Sequence, residues 1–255
     1  MTEPRARPEP DHYSYTTYAD PAMARTFDDR RFGGPVGELV ASSQARVLTS
    51  FIGPLQDQTI LDVGTGTGRA ALLLAKGGAR VTAVDASEPM LAVARQRAVE
   101  QGVSPRFLVG DAHALEFQDR SFDVAVSLRV LLHAPEWRRC IAELCRVADR
   151  LVVVDYPSAR SAALFHAMGR RVVSAAGGRT EAYRVFTDRA IARALDQAGF
   201  RVRSVHRQFV LPLQLHRTIG SRRFTEFSED LLNRVGLGRL FGSPVTLVAE
   251  RCVSS

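Results

Sequence analysis

The stretch that most constrains this chain is residues 59–76. It reads Thr-Ile-Leu-Asp-Val, then Gly-Thr-Gly-Thr-Gly-Arg, then Ala-Ala-Leu-Leu-Leu-Ala-Lys. The first block is a short apolar run with β-branched residues, the signature of a buried strand. The last is a run of strong helix formers. Three glycines at alternate positions join them. The order is strand, tight turn, helix. Glycine lets the backbone turn sharply and lets a ligand lie against it, while the first N–H groups of the helix point towards that ligand.

Two ligand classes compete for such a turn. Dinucleotide sites space their glycines G-x-G-x-x-G and seat a pyrophosphate on the helix. Here the spacing is Gly64-x-Gly66-x-Gly68, with Asp62 two residues ahead. A carboxylate repels a pyrophosphate and attracts an ammonium group. The turn therefore points to a ligand with a cationic amino-acid part, for which S-adenosylmethionine (SAM) is the natural candidate.

The remainder of the chain extends the same pattern. A second apolar strand, residues 80–85, ends in Asp85, which falls 21 positions after Gly64. An acid at this offset can accept hydrogen bonds from both ribose hydroxyls. Ser87 is an expected N-cap for a helix that Gly102 stops. Strands are expected at 106–112, 122–128, 151–156, 201–210 and 244–250, and helices at 38–52, 136–147 and 187–198. Continuous apolar strands separated by helices argue for a parallel sheet covered on both faces. Residues 11–37 read as aromatic and irregular, with a Gly-Gly-Pro break at 33–35 that suits a hinged lid or a surface strap. Two segments exceed a bare alternating fold, at about 158–186 and 213–243. Phe165 and Met168 from the first, and Phe224, Phe227, Leu231 and Phe241 from the second, are expected to wall a substrate pocket.

Composition narrows the classes. The chain has 255 residues and a net charge of +7. That charge is carried by arginine throughout, Lys76 being the single lysine, and no block is concentrated enough to require a nucleic-acid partner. No apolar run approaches the roughly 20 residues of a membrane span. The proline-rich polar start lacks a signal-peptide core, so a cytoplasmic location is expected. Three cysteines, Cys140, Cys145 and Cys252, form no disulfide or zinc framework.

With these residues in hand, three blocks resemble the class I SAM-dependent methyltransferases, in the subgroup that contains the ubiquinone/menaquinone C-methyltransferases. The blocks are residues 61–68, 81–91 and 110–127. The resemblance implies an α/β Rossmann-like fold with a seven-stranded, mostly parallel sheet in the order 3-2-1-4-5-7-6, the last strand antiparallel. It implies SAM as cofactor, with Asp62, Gly64, Thr65, Gly66 and Gly68 around the methionine part and Asp85 on the ribose. Ala86 and Met90 would lie beside the adenine, Asp111 and Ala112 would hydrogen-bond to it, and the backbone at Leu128 and Arg129 would close on the ammonium.

Residues 1–57 are then a tail and helical lid, and 58–255 the methyltransferase domain. Arg31 and Tyr18 are lid residues that could reach the cofactor. His133, after the fourth strand, is a candidate general base or a loop-capping histidine, and Tyr156 a second candidate. No metal site is expected. The acceptor is expected to be a small, largely apolar molecule, such as a quinol, phenol, polyketide-like compound or lipid. A nucleic-acid methyltransferase is favoured by charge. Enzymes that methylate base amino groups usually carry an Asn/Asp-Pro-Pro-aromatic loop after the fourth strand. Ser127-Leu128-Arg129-Val130 stands there, which argues against base-amine chemistry and leaves ribose or other sites open. A nicotinamide oxidoreductase is disfavoured by Asp62. A protein that binds SAM without turnover remains a separate reading.

Overall fold

The computed structural model describes residues 20–161 and 184–252. The expected tail, Tyr18, and most of the first insertion with Phe165 and Met168 lie outside these residues. The described elements run α1 (Pro21–Phe32), α2 (Gly34–Ile52), β1 (Thr59–Val63), α3 (Arg69–Lys76), β2 (Arg80–Asp85), α4 (Glu88–Glu100), β3 (Arg106–Val109) and β4 (Phe122–Ser127). There follow α5 (Trp137–Val147), β5 (Ala148–Tyr156), α6 (Asp188–Gln197), β6 (Phe200–Phe209), α7 (Leu213–Ile219), α8 (Arg222–Arg234), α9 (Leu237–Phe241) and β7 (Ser243–Arg251).

The strands form one seven-stranded sheet in the order β3-β2-β1-β4-β5-β7-β6. β1 pairs in parallel with β2 and β4, while β7 runs antiparallel to both β5 and β6. This is the expected topology. Successive side chains on a strand face opposite sides, and the core divides accordingly. Ile60, Val124, Val126, Leu151 and Val153 pack with Leu48 and Ile52 of α2 and Leu74 of α3. Leu61, Ala125, Val152 and Val154 pack on the other face with Ile141 and Leu144 of α5 and Ile191 and Leu195 of α6.

The region read as irregular contains a helix, α1. Asp20 caps it, its side chain accepting the Ala22 N–H at 2.8 Å, and Pro21 follows at the first position, where a missing N–H costs nothing. α2 begins four residues earlier than expected, at Gly34. Gly33 alone is extended, so the Gly-Gly-Pro break is a one-residue joint between two helices.

The second insertion, α7 to α9, also departs from expectation. Its polar face is the buried one. Glu229 accepts the Val210 and Leu211 N–H groups at 2.7 and 2.9 Å and pairs with His216 Nε2 at 2.9 Å, tying α8 to the end of β6 and to α7. α7 and α8 both pack against α2. The apolar residues expected to wall a pocket face outward instead: Phe227 is 70% exposed, Leu231 53% and Phe241 43%.

Candidate active site

β1 ends at Val63 and the chain enters the glycine turn. Gly64, Gly66 and Gly68 have φ values of +71°, +55° and +85°, a region that residues with a Cβ avoid. Their surroundings differ. A Cβ on Gly64 would lie 2.1 Å from Val130, and one on Gly68 would lie 2.9 Å from Ala94 Cβ. A Cβ on Gly66 would meet nothing within 4 Å. Gly66 thus borders open space, and Gly68 belongs to the packing of α3 on α4. Gly68 does not line the cavity that the turn opens onto.

That cavity has a volume of about 660 Å³ and lies at the carboxyl ends of β1, β2 and β4. Asp62, Gly64, Thr65, Gly66, Asp85, Ala86, Met90, Asp111, Ala112, Leu128, Arg129, Arg31 and His133 all line it. Three carboxylates stand along one side, each held by a local hydrogen bond. Asp62, 2% exposed, accepts the Thr65 hydroxyl at 2.6 Å. Burial is the largest influence on it and pushes its pKa up to about 6. Asp85 accepts the Gly66 N–H on Oδ2 at 2.7 Å and the Ser87 N–H on Oδ1 at 2.9 Å. Burial raises its pKa, opposed by those N–H donors. Asp111 Oδ1 takes the His113 N–H at 2.8 Å and lies 2.7 Å from His113 Nδ1. His113 therefore orients Asp111.

α1 closes one side of the cavity. Phe27, Arg31 and Phe32 contribute to the lining together with Leu48 of α2. Asp28 fastens this helix: it accepts the Thr67 hydroxyl at 3.0 Å and pairs with Arg97 of α4. The Arg69 guanidinium stacks on the Phe32 ring, 3.3 Å from its centre. None of these contacts is expected from sequence. Asp20-Pro21 is the available helix signal, and a helix there places Asp28 and Phe32 one turn apart on the inner side.

His133 sits in a tight turn, its N–H donating to the Val130 carbonyl at 2.9 Å. Tyr156 is a different matter. It is 1% exposed and does not line the cavity. Its ring packs edge-on to Phe186, and its hydroxyl donates to Asp188 Oδ1 at 3.0 Å. Burial, then the Asp188 charge, raises its pKa. It shares strand parity with Val152 and Val154 and so belongs to the α5–α6 face. Tyr156 is a core residue, contrary to expectation. Among the described residues no cluster of His, Cys, Asp and Glu could hold a metal ion.

Residues 61–150 match the family model described as a methyltransferase domain. Over that stretch the chain is similar to methyltransferase domains, and its sheet order is the one the resemblance implied. Over 103 residues it is 41% identical to the demethylmenaquinone methyltransferase of Thermus thermophilus, a match covering 38% of this chain and 47% of that protein. It is 35% identical over 102 residues to the phosphatidylethanolamine N-methyltransferase of Cereibacter sphaeroides, covering 38% and 50%. The chain spans about half the length of the curated relatives it matches.

Solved structures extend the likeness of fold. The magnesium protoporphyrin IX methyltransferase of Synechocystis with bound S-adenosylhomocysteine (SAH) superimposes with a TM-score of 0.66 at 19% identity, covering 94% of this chain and 98% of that one. A [4+2]-cyclase superimposes with a TM-score of 0.59 at 22% identity, covering 83% and 81%. The domain's fold thus hosts more than one reaction, and the acceptor must be argued from the cavity.

Proposed function

We propose that the chain transfers the methyl group of SAM to a small, largely apolar acceptor such as a quinol, a phenol, a polyketide-like molecule or a lipid. The observation that carries this is the cavity: about 660 Å³, acidic along one side and faced by Phe27, Phe32, Leu48 and Val130 elsewhere. That size falls in the range of roughly 300–1,000 Å³ that suits small ligands. The two relatives named above act on a quinone and a phospholipid by their names, which agrees with an apolar acceptor.

The residues fit the cofactor. Each Asp85 oxygen already accepts one backbone N–H and keeps a lone pair for a ribose hydroxyl. Open space above Gly66 admits a ligand against the backbone. Asp62, Thr65 and the Leu128–Arg129 backbone would hold the methionine part, with Arg31 reaching in from α1. Asp111 and Ala112 would hold the adenine, with Ala86 and Met90 against its ring. When bound, SAM supplies a sulfonium-borne methyl group that is open to in-line displacement. The chain's own contribution is alignment of the acceptor and exclusion of water, which α1 and α2 serve by closing over the turn. His133 would take a proton from an acceptor hydroxyl or carbon acid. Residues 1–57 act as tail and lid, and 58–255 as the catalytic domain.

The test is a methyl-transfer assay with isotopically labelled SAM against panels of quinols, phenols, polyketide-like compounds, lipids and RNA. Label transfer to one of the small-molecule classes supports the assignment. Transfer to RNA alone overturns it, and SAM binding without transfer to any panel supports the non-catalytic reading instead.

A further inference from the structure

The second insertion carries an apolar face that the fold turns outward and the cavity does not use. On α8, Phe224, Phe227 and Leu231 recur at intervals of three and four residues and form one stripe. Val235 continues it past the helix end. Phe227, Leu231 and Val235 are each more than half exposed. α9, packed on α8, adds exposed Leu240 and Phe241. A rotation of α8 cannot bury the stripe, because the opposite side is anchored. Thr225 and Glu229 are buried there, and Glu229 holds the Val210 and Leu211 N–H groups and the His216 ring. Turning the helix would strand that carboxylate without its donors. An exposed apolar patch fixed in this way marks an interaction surface.

Its charge points to the kind of surface it meets. Arg217, Arg222, Arg223, Arg234 and Arg239 are exposed in this segment, against two exposed acids, Glu226 and Asp230. Both acids are taken up in surface pairs, with Arg222 and Arg234. Among the described residues Arg223 and Arg239 have no acidic partner. Arg223 lies one turn from Phe227 and Arg234 one turn from Leu231, so both border the stripe along the same side. Arginine at such an edge lays its stem on apolar material and keeps its head at a wet, charged boundary. A second copy of the chain would bring the same excess of arginine and meet repulsion. An anionic bilayer offers negative headgroups to the arginines and acyl chains to the stripe.

The face also lies at the edge of the sheet where the cavity opens. β7 runs antiparallel to both β5 and β6, so β6 runs with β5 and β4, and α7 leaves it at the carboxyl edge. Arg217 of α7 donates to the carbonyl of Arg31, a residue of the cavity wall. We propose that the α8–α9 face docks the chain on an anionic lipid bilayer. An apolar acceptor of the class proposed above would then be drawn from the bilayer, but the docking itself stands without that reading.

The test is co-sedimentation of the full chain with vesicles, in the absence of cofactor. Phosphatidylcholine vesicles containing about 30% phosphatidylglycerol are compared with vesicles of phosphatidylcholine alone. Binding to the anionic vesicles is expected to be at least about tenfold tighter and to weaken as salt rises. Phe227→Ser with Leu231→Ser should lower it at least about tenfold, and so should Arg223→Glu with Arg239→Glu. All four residues are exposed, so the thermal melts of both variants should match the wild type. Arg106→Glu with Arg193→Glu changes exposed arginines on β3 and α6 and alters the net charge equally; it should leave binding within about threefold. Absence of wild-type binding to the anionic vesicles overturns the proposal. An equal loss in the Arg106 and Arg193 variant also overturns it, since net charge alone would then account for the binding. So does a dimer in sedimentation velocity that Phe227→Ser with Leu231→Ser dissolves, which would assign the face to a second copy. Vesicle binding by a chain that binds no SAH would break the methyl-transfer reading and support this one.

Discussion

The two ends of the cavity are built differently. At one end Asp62, Asp85 and Asp111 stand at or just beyond the ends of adjacent strands, and each is fixed by a donor within three residues or by the glycine turn. At the other end Arg31 and Arg129, from α1 and the turn after β4, line the cavity and come together only through the tertiary fold. The acidic end is set by short-range geometry on a rigid sheet. The basic end depends on a lid helix, α1, holding its place, to which Arg217 of α7 donates at the Arg31 carbonyl. A shared fold can thus keep one end constant and vary the other, which is how a common cofactor comes to serve different acceptors.

The sharpest way to break the acidic end is Gly64→Ala. The added Cβ would sit 2.1 Å from Val130 at a φ of +71°, combining a clash with backbone strain. A loss of about 3 kcal/mol or more, or failure to give folded protein, is expected from denaturant unfolding. Gly66→Ala has only the strain term and should cost about 1–2 kcal/mol. Similar losses for both would mean that the Val130 contact contributes nothing.

Asp85→Ala comes next. It removes an acceptor from the site while leaving the sheet intact. SAM affinity should fall roughly tenfold to a hundredfold, with the melting temperature little changed. Unaltered affinity would take Asp85 out of the site.

Asp62 sharpens the comparison through pH. Its pKa in the folded chain is raised from 3.8 to about 6, so the folded state binds the proton more tightly than the unfolded state. The stability this contributes is fully present below about pH 4 and is lost as pH rises through about 6. Ionised Asp62 therefore costs about 2–3 kcal/mol at neutral pH. Asp62→Asn should recover part of that in urea unfolding at pH 7.5, show little gain at pH 4, and weaken SAM binding at neutral pH. A variant less stable than wild type at pH 7.5 would show that the carboxylate is better compensated than its burial implies.

Smaller effects are expected at the lid and in the core. Asp28→Ala cuts the tie from α1 to Thr67 and Arg97 and should raise the KM for SAM about threefold to tenfold, with kcat less affected. Tyr156→Phe removes only a hydrogen bond to Asp188 and should change kcat less than twofold. A large fall in kcat there would restore Tyr156 as a site residue.

Much of the acidic end is legible in the sequence because its determinants are local. The glycine spacing, the offset of Asp85, the Ser87 cap and the apolar strands each announce themselves within a few residues. The sheet order comes from resemblance. Tyr156 misleads although strand parity is readable: counting by two from Val152 puts Tyr156 on the α5–α6 face and Asp155 on the face of α2. Gly68 lies in the motif yet serves the packing of α3 on α4, because its Cβ position faces Ala94. The second insertion misleads for another reason. Its aromatic residues suggest a pocket wall, but the buried pair of His216 and Glu229 turns the polar face of α8 inward. Arg217 of α7 then donates to the Arg31 carbonyl of α1, a long-range meeting that spacing alone does not encode.

If the acidic end is a SAM site, calorimetric titration of the purified full chain with SAH, and separately with NAD, tests it most directly. The account predicts saturable SAH binding at one site per chain that Asp85→Ala weakens at least about tenfold, and no heat of binding with NAD. Binding of NAD with none of SAH would contradict it.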